Sequence, residues 1–278
     1  MINTLGINKQ IKLLGGTIEF SLYKANFPLN ESVFDEVYLE ALRLEKIFNF
    51  FDLESELSNL NKKRIIIPSK ELKEVIEMCL PYCELTNGEY DISKGKQFMQ
   101  RKNKEEITKI KCSYKDIKIK EGKISLMHPD VMIDLGSVAK GYIGDKMKDF
   151  LLKKGITSAF IDLRGDLIFF GEFTEKILIQ HPRDTQKSIF SFEKSNAAVA
   201  TSGDYKQYYE NYENSHILNS KDLISVTVVA KTLAEADILA TCIFVSGAKK
   251  LEKFNDKEYF VMTNNLKIFT SENFVGNL

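Results

Sequence analysis

Asp237 and Thr241 lie four residues apart in a chain of 278 residues. On a helix they would share one face, about a turn from each other. Beside the apolar positions Leu239, Ile243 and Phe244 they offer two hard oxygens to a Mg²⁺-type ion. Such an ion takes few protein ligands and usually keeps waters or substrate phosphates. The same pair also has a purely local reading. An aspartate is favoured near a helix N-terminus, and a threonine can bond back to a carbonyl.

A second group is Asp134-Leu-Gly-Ser-Val-Ala-Lys140, where a turn feeds a helix start. Free amides, the positive end of a helix and a nearby lysine are the components of an anion or phosphate site. The Gly-x4-Gly-Lys-Ser/Thr spacing of a P-loop is missing. Third, Ala200-Thr-Ser-Gly-Asp-Tyr205 reads as a small-polar loop after a strand, with His216 a few residues further on. A histidine near neutral pKa can take a proton from an attacking hydroxyl, though a lone histidine can equally be structural. No Gly-x-Ser-x-Gly elbow supports a Ser-His-Asp hydrolase.

Composition narrows the partners. The chain carries 39 basic and 39 acidic side chains and 44% hydrophobic residues. A neutral balance argues against a nucleic-acid surface or a polybasic membrane patch. Arginine occurs only at Arg43, Arg64, Arg101, Arg164 and Arg183, so bidentate phosphate clamps cannot be numerous. Phosphates then fall to backbone amides, lysine or a metal ion. Cys79, Cys83, Cys112 and Cys242 form no Cys-x-x-Cys pair, and the histidines are His128, His181 and His216, so a zinc site on Cys and His is nearly excluded. Few cysteines fit a reducing compartment. Neither a signal peptide nor a run of about 18 apolar residues is seen, which makes a cytoplasmic location the expectation.

The elements that must position these residues follow from periodicity and caps. A helix is predicted after Asn30 as N-cap, with Val33, Val37, Ala41, Leu44 and Phe48 at helical spacing. A second opens at Ser69, and Pro81 should kink or end it. A lysine-rich hairpin is expected between Ile107 and Met127. Ser137 reads as the N-cap of a helix that stops at Gly155. Strands follow at Ala159–Asp162, Asp166–Phe170, Lys176–Gln180, Ile189–Phe192 and Leu223–Ala230. Thr232 and Glu235 form a capping box for a helix running to about Ser246, and Glu258–Met262 with Leu266–Phe269 closes the chain as a hairpin. No regular βαβ alternation appears, so residues 1–278 are read as one α+β unit of mixed and antiparallel sheets with flanking helices, of one or two lobes.

In this order the motifs resemble the ApbE family, the FAD:protein FMN transferases. The likeness runs from roughly Phe34 to Gly247. It is carried by Ser55-Glu-Leu-Ser-Asn-Leu-Asn61, Thr86-Asn-Gly-Glu-Tyr-Asp91, Asp134-Leu-Gly-Ser-Val-Ala-Lys140-Gly-Tyr-Ile-Gly-Asp145, Ala200-Thr-Ser-Gly-Asp-Tyr205, His216 and Ala236-Asp237-x-x-Ala-Thr241. The resemblance implies a T-fold-related domain that binds FAD and Mg²⁺ and attaches FMN through a phosphoester to a Thr or Ser of a target protein, releasing AMP. It implies that Asp237, Thr241 and the carbonyl of Ser137 hold the metal. Lys140, Asp134, Ser202, Ile217 and the turn Glu89-Tyr90-Asp91 would contact FAD, with Phe51 beside the flavin or adenine ring. His216 would be the base for the incoming hydroxyl.

The chain departs from the family pattern in places. His216-Ile-Leu-Asn219-Ser220-Lys221-Asp222-Leu223 lacks the Pro and Gly usual after the histidine. Arg164-Gly165-Asp166 stands where Gly-Gly-Asp is usual, Phe51 where Tyr is, and Ser93 where Thr is common. A reshaped acceptor site keeps two alternatives open: an Mg²⁺-dependent FAD pyrophosphatase yielding FMN and AMP, and a non-catalytic flavin-binding protein.

Overall fold

The computed structural model describes residues 6–109, 111–204, 208–209, 211–215 and 222–276. The first part of the chain runs β1 (Ile7–Leu13), β2 (Gly16–Ala25), α1 (Ser32–Phe48), α2 (Glu56–Lys63), β3 (Ile65–Ile66), α3 (Lys70–Leu85) and α4 (Gly95–Lys102). Then come β4 (Ile117–Lys120), β5 (Lys123–Leu126), α5 (Ala139–Lys153), β6 (Ile156–Asp162) and β7 (Leu167–Phe170). The remainder is β8 (Glu175–His181), β9 (Asp184–Lys194), β10 (Ala197–Gly203), β11 (Tyr208–Tyr209) and β12 (Asn211–Ser215). It closes with β13 (Leu223–Ala230), α6 (Leu233–Ser246), β14 (Glu258–Thr263) and β15 (Ile268–Thr270).

Eight strands form one sheet in the order β1-β2-β6-β7-β10-β13-β14-β15, and each neighbouring pair is antiparallel. One face carries α5 and α6. Helix α6 is buried along nearly its whole length, from Leu233 to Ser246, as expected for a helix that is apolar all round. The other face is covered by the β8–β9 hairpin, whose Ile177, Ile179, Phe190 and Phe192 pack with Phe169, Val229, Phe260 and Phe274. A strand sandwiched in this way reads as a continuous apolar run, which accounts for Leu-Ile-Ser-Val-Thr-Val-Val-Ala in β13. A second sheet, β3-β5-β4, sits beside α2. Among the described residues no helix is long and apolar enough to cross a membrane.

The α+β expectation holds, and the lysine-rich hairpin appears as β4–β5. Several local expectations need correction. The N-cap of α1 is Glu31, not Asn30. The Asn30 side chain instead accepts the Ser32 N–H at 3.0 Å, one residue early. Pro81 does not end α3, which continues to Leu85. Cys79 and Cys83, on either side of it, are both buried, and the last turn is closed by bonds from the Thr86 amide and hydroxyl to the Tyr82 carbonyl at 3.1 and 2.9 Å. Packing and capping outweigh the one hydrogen bond proline removes. Ala200–Gly203 is not a loop. It pairs in unbroken register with β13, from Ala198↔Ala230 to Gly203↔Ser225.

Candidate active site

Helices α5 and α6 touch where α6 begins. A Cβ on Gly141 would stand 2.5 Å from the Leu233 carbonyl oxygen, and one on Gly144 would meet the Leu233 side chain at 2.8 Å. Only glycine lets the two backbones come this close. Asp145, on the next residue of α5, accepts the Leu233 and Ala234 N–H groups at 2.8 and 2.9 Å. Those are two of the amides that a helix start leaves without partners. Thr232 takes a third, from Glu235 N–H at 3.3 Å. The Glu235 carboxylate lies 3.6 Å from Lys257. Burial pushes the Asp145 carboxyl up to about 6, against the two amide bonds that lower it.

This contact delivers Asp237. Its Oδ2 accepts the Gly141 N–H at 3.1 Å, and Oδ1 accepts no hydrogen bond among the described residues. Asp237 is 7% exposed. Burial, with the neighbouring Asp166 carboxylate, raises it to about 7 despite Lys140 and the Gly141 bond. Lys140 is ion-paired to the buried Asp166. Burial alone would lower that ammonium's pKa, but Asp166 and Asp237 raise it, so it stays charged. The other oxygen of Asp166 accepts the Thr201 N–H at 3.1 Å. Thr241 and Ser202 share a hydroxyl–hydroxyl bond of 3.1 Å. Thr241 therefore faces strand β10 and the cleft.

Ser137 does not cap α5. The N-cap is Val138, and the Ser137 hydroxyl is 2.9 Å from the phenol of the buried Tyr90. Burial holds that phenol well above the usual tyrosine range. Because Gly141 N–H points to Asp237, the Ser137 carbonyl loses the donor that would ordinarily close onto it in the first helical turn.

The cleft at this junction has a volume of about 720 Å³, within the range of small-molecule sites. The cleft also has an aromatic wall. Phe50 and Phe51 meet edge-on at 5.5 Å, and Phe51 and Phe98 are tilted at 6.1 Å. The Lys102 ammonium sits 3.2 Å over the Phe51 ring. Asp91, which also lines the cleft, holds the turn after α3. Its Oδ1 accepts the Ser93 amide and hydroxyl at 2.9 and 2.7 Å, and its Oδ2 accepts the Tyr114 N–H at 3.2 Å. Burial raises its pKa against the Ser93 bonds. Glu89 is paired to Lys250 at 2.8 Å. Asp134 accepts the Gly136 N–H at 2.9 Å, and burial raises its carboxyl. The segment leading there is held by Asn61, whose amide both donates to and accepts from the Ile133 backbone at 2.9 and 2.7 Å.

Ten of the residues expected at the site line this one cleft: Phe51, Glu89, Tyr90, Asp91, Asp134, Ser137, Lys140, Ser202, Asp237 and Thr241. His216 and Ile217 lie outside the described residues. Sequence reasoning assigned no site role to Asp166, Arg164, Phe50, Phe98 or Lys94, though it noted Arg164 and Asp166 in a departure from the family pattern, and of these all but Asp166 also line the cleft. Asp166 could have been found as the carboxylate of the Arg164-Gly165-Asp166 turn, but its partner Lys140 sits on another element.

Asp237, Thr241 and the Ser137 carbonyl could hold a small hard cation. The set comprises one carboxylate with a free oxygen, one hydroxyl and one carbonyl short of its donor. Oxygen-only, incomplete coordination suits Mg²⁺ completed by substrate phosphate. Among the described residues no three His, Cys, Asp or Glu side chains cluster as metal ligands, so such an ion relies on this mixed set.

An antiparallel sheet backed by two helices thus carries a charged cleft where the helices meet, and the rings of Phe50, Phe51 and Phe98 line the same cleft. Residues 14–262 match the ApbE family, and the chain belongs to it. A Klebsiella pneumoniae (strain 342) protein named FAD:protein FMN transferase is 33% identical over 162 residues, covering 53% of this chain and 51% of that protein. The protein of the same name from Buchnera aphidicola subsp. Baizongia pistaciae is 27% identical over 241 residues, 73% of this chain and 70% of the relative. The match to the first of these thus spans about half of the relative's length, at 51%. Among solved structures, the ApbE protein of Thermotoga maritima aligns with a TM-score of 0.85 at 23% identity over 96% of this chain and 97% of its own. The flavin transferase ApbE of Vibrio cholerae aligns at 0.81 and 19% identity over 97% and 98%. These likenesses show the fold.

Proposed function

We propose that this chain transfers FMN from FAD to a threonine or serine hydroxyl of an acceptor protein, with Mg²⁺ as the working ion and AMP as the leaving group. The observation that supports the reading is that Asp237, Thr241 and Ser137, whose carbonyl is short of its donor, line the same cleft of an ApbE chain. The name printed for the relatives supplies the reaction class.

In the proposed step the acceptor hydroxyl oxygen attacks the phosphorus on the FMN side. A new P–O ester bond forms as the bond to the bridging oxygen breaks, and AMP leaves with that oxygen. The hydroxyl proton passes to a base, which the family resemblance assigns to His216. Mg²⁺ would neutralise the charge that grows on the transferring phosphoryl group. The chain's own groups position the reactants. Lys140, locked by Asp166, keeps a fixed positive charge beside Asp237. Tyr90 fixes Ser137 through its hydroxyl. Phe50, Phe51 and Phe98 offer ring faces for the flavin or adenine.

The test is to incubate the protein with FAD and Mg²⁺, with and without a peptide carrying an acceptor threonine, and to follow AMP and flavin-labelled peptide. Labelled peptide with stoichiometric AMP is expected. AMP with free FMN alone would mark a pyrophosphatase. Tight FAD binding with neither product would mark a flavin-binding protein.

A further inference from the structure

We propose that Arg164 is a specificity-determining contact of this cleft, anchoring a phosphate of the bound dinucleotide through its guanidinium. The inference rests on the reading of the site as an FAD cleft and adds to it a residue that the motifs do not assign.

Strands β6 and β7 are joined by Leu163–Asp166, a hairpin whose two-residue tip is closed by backbone bonds between Leu163 and Asp166. Asp162 pairs with Leu167, Leu163 N–H donates to the Asp166 carbonyl at 2.7 Å, and Arg164 and Gly165 make the turn. Their φ values are +62° and +90°. Two positive φ angles in a two-residue hairpin are the requirement of a type I′ turn, which favours Asn-Gly, Asp-Gly or Gly-Gly. Arginine is a poor choice for the first position, because a Cβ crowds the left-handed region. The bonds that close the turn do not use that side chain. The side-chain bond that steadies it runs from Gly165 N–H to Asp162 Oδ1 at 2.5 Å. A conformational cost without local return points to a use elsewhere.

The side chain is seated. Arg164 Nη1 donates to the Leu14 carbonyl at 2.6 Å, in the turn between β1 and β2. Gly16 leaves room for it, since a Cβ there would stand 2.5 Å from Arg164 Nε. So held, Arg164 lines the cleft with Lys140, Thr201 and Asp237. Among the described residues no carboxylate pairs with its guanidinium, whereas Lys140 is committed to Asp166. A planar guanidinium with unused donors matches phosphate oxygens. Of the parts of FAD, only the diphosphate is anionic.

The experiment compares Arg164→Gly, Arg164→Asn and Arg164→Lys in the full chain. Glycine and asparagine both suit the turn, so their melting temperatures should equal or exceed that of the parent. Binding of FAD and of riboflavin is read by flavin fluorescence with chelator present, so that no metal-dependent turnover consumes the FAD. FAD affinity should fall roughly tenfold or more in the Gly and Asn variants, the loss of a charge-assisted contact. Riboflavin, which has no phosphate, should bind unchanged, and Lys should fall between. Equal losses for both ligands, or unchanged FAD affinity, would overturn the assignment. So would a rise only in the KM for the acceptor peptide, which would move the contact to an acceptor carboxylate. If the parent protein failed to bind FAD at all, the cleft reading itself would fall and take this assignment with it.

Discussion

The helix wall of the cleft buries its charges and bonds them to backbone amides, whereas the aromatic wall leaves its rings partly in solvent. Asp237 on this wall, and Asp145 at the same helix junction but outside the cleft lining, are each held by N–H groups of the partner helix, and both carboxyls are raised by burial. Phe51, in contrast, is 52% exposed and contacts other rings and Lys102. The first wall is preorganised at a cost to stability. The second contributes area and costs the fold little. The comparison teaches that substitutions in the helix wall should change both stability and turnover, in the same or in opposite directions, and those in the aromatic wall should move ligand affinity alone.

The largest effect is expected at Asp237. Asp237→Asn keeps an acceptor for Gly141 N–H but removes the charge, and Mg²⁺-dependent turnover should drop by roughly 10³-fold or more. Stability should move the opposite way. With its carboxyl raised, the folded chain holds a proton between the ordinary value of 3.8 and about 7 that the unfolded chain releases. Stability of the metal-free protein should therefore fall as pH rises through that window. Asp145, raised to about 6, adds to the slope in the lower part of it. Thermal melts against pH should show a shallower slope for the variant, and a higher melting temperature than the parent above pH 7.

Gly141→Ala comes next. The added methyl would stand 2.5 Å from the Leu233 oxygen, so the helices must part. Overpacking of this kind costs about 1–3 kcal/mol, read as a lower denaturation midpoint, with turnover lost because Asp237 moves with α6. A variant as stable and active as the parent would break the rigid-wall account. The smallest effect belongs to Phe51→Ala, which should leave the melting temperature unchanged and weaken FAD binding about fivefold, the worth of one ring contact of about 1 kcal/mol. A large fall in stability there would erase the contrast between the walls.

How far the two walls could be read in the sequence follows the same division. The Asp237–Thr241 spacing, the Thr232 cap and the end of α6 at Ser246 were all legible, because each depends on neighbours within a turn of helix. Asp166 was not, since its meaning comes from Lys140 on α5. Arg164 was legible as a departure from Gly-Gly-Asp, but its place in the cleft was not, because that depends on its backbone angle and on Leu14 in a distant turn. Ser137 looked like a cap because serine commonly is one, but Tyr90 from a distant turn takes its hydroxyl. The aromatic wall brings Phe98 from α4, a short, mostly polar helix with little apolar periodicity. The β1–β2 hairpin went unread although Ile18, Phe20 and Leu22 alternate with Thr17, Glu19 and Ser21, a period-2 signal that was present.

The central claim is that the α5–α6 junction holds one divalent ion through Asp237, Thr241 and the Ser137 carbonyl. Mn²⁺, a paramagnetic substitute for Mg²⁺, can be titrated into the full chain with FAD present and the free ion followed by electron paramagnetic resonance. The account predicts one bound ion per chain in the parent and none at the same concentrations in Asp237→Asn. Equal ion binding by the two proteins would contradict it.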